Sequence, residues 1–64
     1  MAMTLKQEAE LLSGRIGLRA KACEAWMRSA GVVSIMDLMR RYPDAHHAEA
    51  MTRAAREIED FICA

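Results

Sequence analysis

The chain has 64 residues, enough for one small domain, and its nine basic and nine acidic side chains cancel to a formal net charge of zero. Apolar residues make up 53%, but twelve are alanine, and Leu, Ile, Val and Phe together number only twelve. No apolar run is long enough for a membrane span, no charged-then-apolar opening marks a signal peptide, and two cysteines are too few for a disulfide scaffold.

Alanine, arginine, glutamate, leucine and methionine dominate, so nearly every segment reads as helix. The expected fold is all-α, a single domain over residues 1–64 built as a small bundle of three or four helices. Thr4 and Gln7 have capping-box spacing and start a first helix over about 5–15. Gly14 and Gly17 interrupt the pattern, and a second helix is expected over 19–29, with Gly31 as its C-terminal cap. Ser34 and Asp37 open a short third helix over 34–41, which Pro43 ends. Asp44 is the expected N-cap of a last helix over 45–62.

The last helix is strongly amphipathic. Ala48, Met51, Ala55, Ile58 and Ile62 fall on one stripe, flanked by Ala54 and Phe61. Glu49–Arg53, Arg53–Glu57 and Arg56–Asp60 are spaced to pair along its polar side. With an apolar stripe at the chain end, this helix is the expected contact of a homodimer. The opening methionine and this closing helix carry the expectation of a complete chain.

Charge is divided along the chain. Residues 1–43 carry seven basic and four acidic side chains, net +3, while residues 44–64 carry two basic and five acidic, net −3. The basic half suits an anionic partner, nucleic acid among them.

Between Ala9 and Arg28, apolar Leu12 and Ile16 lie four apart around the small Ser13. Gly17 and apolar Leu18 follow, then Cys23 and Trp26. This spacing resembles the helix-turn-helix of phage repressor and Cro-type proteins, and the first half of MerR- and excisionase-type domains. The resemblance implies two helices crossing at a tight glycine turn, with Leu12, Ile16, Leu18, Cys23 and Trp26 between them. It implies a recognition helix from Arg19 to Ser29 that meets double-stranded DNA through Arg19, Lys21 and Arg28. Glu24 would be a base reader, and Arg15 or Arg40 and Arg41 would lie on phosphates. Arg19 stands where such families commonly have a capping serine or threonine. No β-wing is legible after the motif.

The competing reading is one helix from Leu5 to Ala30, with Lys6, Glu10, Gly14, Gly17, Lys21, Glu24 and Arg28 as its polar strip. Its apolar face is too wide for a monomer to cover, which points to a helical adaptor or inhibitor acting as a homodimer. Such a module would expose an apolar patch around Leu11, Leu18 and Trp26.

Other chemistry finds little support. Adjacent His46 and His47 point about 100° apart on a helix, and Cys23 and Cys63 have no metal-ligand spacing, so neither a metal nor a cofactor is expected. His47 reads as a half-buried packing residue and His46 as solvated. No nucleophile–base pair or phosphate-binding glycine loop is present, so the chain is not read as an enzyme. The leading expectation is a small, non-catalytic, cytoplasmic DNA-binding regulator.

Overall fold

A computed structural model describes residues 3–63. It contains four helices and no strand among those residues: α1 (Leu5–Ile16), α2 (Ala20–Ala30), α3 (Ile35–Arg41) and α4 (His47–Cys63). The expected all-α bundle is present, and the continuous helix from Leu5 to Ala30 is not.

Local chemistry explains each boundary. At the start of α1, Thr4 Oγ1 accepts from the Gln7 N–H at 3.2 Å. Gln7 Oε1 accepts from the Thr4 N–H at 2.8 Å, which completes the capping box. The helix ends at Gly17, whose φ of 71° is left-handed and whose N–H donates to the Ser13 carbonyl at 2.9 Å. An L side chain is strained in that region and glycine is not. The Ser13 hydroxyl donates to the Leu18 carbonyl, closing the turn from the helix side.

Three residues, Gly17 to Arg19, separate α1 from α2. Arg19 is the N-cap of α2 rather than its first residue, with extended φ and ψ. Gly31, at φ 74°, caps the other end. The Val32 N–H then reaches back to the Met27 carbonyl at 2.9 Å, a Schellman ending, and buries Val32 in the core.

Ser34 is the N-cap of α3, its hydroxyl accepting from the Asp37 N–H at 3.0 Å, while Asp37 accepts from Val33 N–H at 3.2 Å. A third acceptor comes from far along the chain. Glu8 Oε1 of α1 takes the Ile35 N–H at 3.1 Å, tying α1 to the start of α3.

The last helix corrects an expectation. It begins at His47, not Ala45, so Asp44 does not cap it. Pro43 and Asp44 instead occupy a turn closed by the Ala45 N–H on the Tyr42 carbonyl at 3.0 Å. Proline at the second position of a turn, with its φ preset, consumes residues that would otherwise start the helix.

The core is made of Ala9, Leu12, Cys23, Trp26, Met27, Val32, Leu38, Met51, Ala54 and Ile58. Ile16, Leu18 and Ala30 pack partly buried against it, so the wedge expected between the first two helices is filled. Helix α4 touches all three others. The alanines Ala9, Ala50 and Ala54 are almost fully buried, and such small side chains let helices approach closely.

The two N-terminal glycines should respond to alanine in opposite directions. Gly14 lies within α1 and exposed, and a Cβ there meets nothing within 4 Å, so Gly14→Ala should stabilise the fold by about 0.5–1 kcal/mol. A Cβ at Gly17 also finds open space but demands positive φ, so Gly17→Ala should destabilise by about 1 kcal/mol or more. Urea denaturation of the two variants beside the parent checks both signs.

Candidate nucleic-acid interface

The short turn places the start of α2 at the surface. Arg19 offers no side-chain hydrogen bond to cap it, and the first turn holds no acidic residue. The first intrahelical bond runs from the Cys23 N–H to the Arg19 carbonyl at 3.0 Å. The N–H groups of Ala20, Lys21 and Ala22 therefore have no acceptor within the helix. The positive end of the α2 dipole is left without an opposing carboxylate, and it carries Arg19 and Lys21.

Arg15, Arg19, Lys21 and Arg28 are all exposed. Arg19 and Lys21 make no ion pair among the described residues. Arg28 does: its Nη2 donates to Glu24 Oε2 at 2.8 Å, one turn back on α2. Glu24 is half-buried, with its Oε2 taken by Arg28. Its partner keeps 64% of its side chain exposed. Arg15 lies in the last turn of α1, with Nη1 3.3 Å from Nε2 of His47 at the start of α4. Arginine can only donate, so the guanidinium is the donor of this contact when the ring nitrogen accepts. The expectation of a half-buried His47 is not met: it is exposed, as the first residue of α4 rather than a residue inside that helix.

Arg40 and Arg41, the other expected phosphate contacts, are engaged elsewhere. Arg40 is 3.9 Å from Asp37. Arg41 lies 5.5 Å from the centre of the buried Trp26 ring and donates to Glu57 Oε1 at 3.2 Å. Glu57 also accepts from the Tyr42 hydroxyl, and Arg53 stacks 5.9 Å from the Tyr42 ring. The expected Arg53–Glu57 pair is replaced by this cluster, which holds α3 against α4. Arg41 is a packing residue here.

The apolar patch expected of an adaptor is not formed. Trp26 is buried and Leu18 half-buried, because α2 folds back on α1. Leu11 alone of the three is exposed. The most exposed large apolar side chains lie elsewhere, at Met36 and Val33, 69% and 64% exposed, and at Ile62 on the last turn of α4, where Phe61 is exposed about as much as Leu11. The apolar stripe of α4 is divided: Met51 and Ile58, with the flanking Ala54, are core residues, while Ala48 and Ile62 are exposed.

No helix among the described residues is long and apolar enough to cross a membrane. No family model, curated protein or solved structure matches the chain.

The two thiols differ in environment. Cys23 is buried, and desolvation pushes its pKa up, partly offset by a backbone hydrogen bond, whereas Cys63 is exposed. A thiol reagent such as Ellman's should label one cysteine per chain quickly and the second only on unfolding. Because Cys23 holds its proton more firmly in the fold than in the unfolded chain, its contribution is complete at neutral pH. That contribution should shrink as pH rises past the ordinary thiol range, about 8.5. Two rapidly reacting thiols in the native protein would contradict this burial.

Proposed function

We propose that the chain is a small, non-catalytic DNA-binding regulator that presents α2 to the duplex as a recognition helix. The observation that carries this reading is the left-handed turn at Gly17. It leaves the start of α2 exposed, uncapped and free of acidic side chains, with Arg19 and Lys21 upon it. Backbone N–H groups at a helix start and flanking basic side chains suit a phosphate, and the first residues of such a helix reach base edges. Arg15, in the last turn of α1, and Arg28, in the last turn of α2, add two further exposed basic side chains. The neutral total charge weighs mildly against DNA, since dedicated binders are usually basic, and the excess of three positive charges in residues 1–43 weighs for it. Phe61 and Ile62 supply apolar surface for a second copy, which would double the contacts. Two free thiols agree with a reducing cytoplasm as its place of action.

A helical adaptor is the second reading, and the exposure of Val33 and Met36 favours it. Fluorescence anisotropy with a labelled random-sequence duplex separates the two. If Arg15, Arg19, Lys21 and Arg28 each meet a phosphate, affinity should fall on the order of a hundredfold between 50 and 200 mM salt. Arg19→Ala/Lys21→Ala should weaken binding at every salt concentration and reduce the slope of the log–log plot by about 2. A folded sample with no binding at 50 mM salt would remove the DNA reading and bring the adaptor forward.

A further inference from the structure

An open cleft of about 480 Å³ lies between the end of α1 and the first half of α4. That volume falls in the range of small-ligand sites, about 300–1,000 Å³. Its lining is divided chemically. Ile16, Met51 and Ala55 supply an apolar floor, and Arg15 and His47 stand together at 3.3 Å as its charged and polar members. Thr52 also lines it, but its hydroxyl proton is already donated to the Ala48 carbonyl at 3.1 Å. No carboxylate is among the lining residues. Glu49, in the first turn of α4, is 3.9 Å from Arg53 instead.

Two polar side chains 32 positions apart in the chain, one from α1 and one from α4, thus converge beside an apolar floor. His47 lines the cleft beside Arg15, and the other guanidinium N–H groups of Arg15 are unused by any hydrogen bond among the described residues. We infer that this cleft binds a small amphipathic anion, a carboxylate on a short aliphatic chain. The carboxylate accepts from Arg15 and His47, and the chain lies along Ile16, Met51 and Ala55. The pairing of a guanidinium with a carboxylate supplies charge-assisted hydrogen bonds, and the apolar floor supplies burial. The inference stands apart from DNA binding, although Arg15 is common to both.

The test is an NMR titration of the full chain, without DNA, using octanoate below its micelle concentration as the probe. Octanol and inorganic phosphate serve as tail-only and head-only controls. Octanoate should give saturable amide shifts centred on Ile16 and residues 47–55, with both controls at least tenfold weaker. His47→Ala should weaken octanoate several-fold, and Ala55→Leu, which fills the floor, at least tenfold. Both positions lie outside the fully buried core, and the dispersion of each variant's spectrum reports whether it is folded. Equal binding of octanol and octanoate, shifts centred on Phe61 and Ile62, or indifference to both substitutions would each overturn the inference. Because no duplex is present, failure here leaves the DNA reading standing, and failure of the anisotropy experiment leaves this one standing.

Discussion

The left-handed backbone at Gly17 is the constraint on which the other features of this chain rest. Leu5 to Ala30 is a stretch of good helix formers, and without a break it favours one long rod. A rod would leave Leu12, Cys23 and Trp26 facing solvent or a second molecule. The turn brings α2 back against α1, and the Ser13 hydroxyl bond to Leu18 holds the turn closed. Burial of Trp26 follows, and with it the seat for Arg41. Exposure of Arg19 and Lys21 follows from the same geometry, since the residues after a tight turn open the next helix at the surface.

Once α1 and α2 are folded together, α4 closes the remaining face and α3 bridges its edge. A chain of this size has few large apolar residues to bury, so polar contacts between elements matter more than in a large domain. Two such contacts are visible. Glu8 caps the start of α3 from α1, and Glu57 gathers Arg41 and Tyr42 at its end. The groups are partly solvated, so each contact adds modestly to stability. Their role is positional: they set where a seven-residue helix sits when its own burial amounts mainly to Leu38.

Most of the helix boundaries were legible because they are local. Thr4 with Gln7, Ser34 with Asp37, and the glycines at 17 and 31 each act within a few residues, and each acts as its spacing implies. The start of α4 departs from its sequence signal because Asp44 serves a proline turn equally well, and cap and turn signals overlap in such residues. Choosing between one helix and two needed tertiary contact. The glycine strip fits both patterns, and the left-handed φ of Gly17 with the burial of Trp26 separates them. At the candidate site, Arg15, Arg19, Lys21 and Arg28 were legible as an exposed basic group. The pairing that occupies Glu24 is visible as i,i+4 spacing in retrospect. The meeting of Arg15 with His47, and of Arg41 with Trp26 and Glu57, joins residues distant in the chain, and no local pattern announces it.

The account depends most on the backbone at residues 17–19, and carbon-13 Cα chemical shifts in solution measure it directly. Strong helical shifts should run to Ile16, vanish across Gly17, Leu18 and Arg19, and resume from Ala20. Uninterrupted helical shifts from Leu5 to Ala30 would contradict the turn, and with it the buried Trp26 and the exposed start of α2.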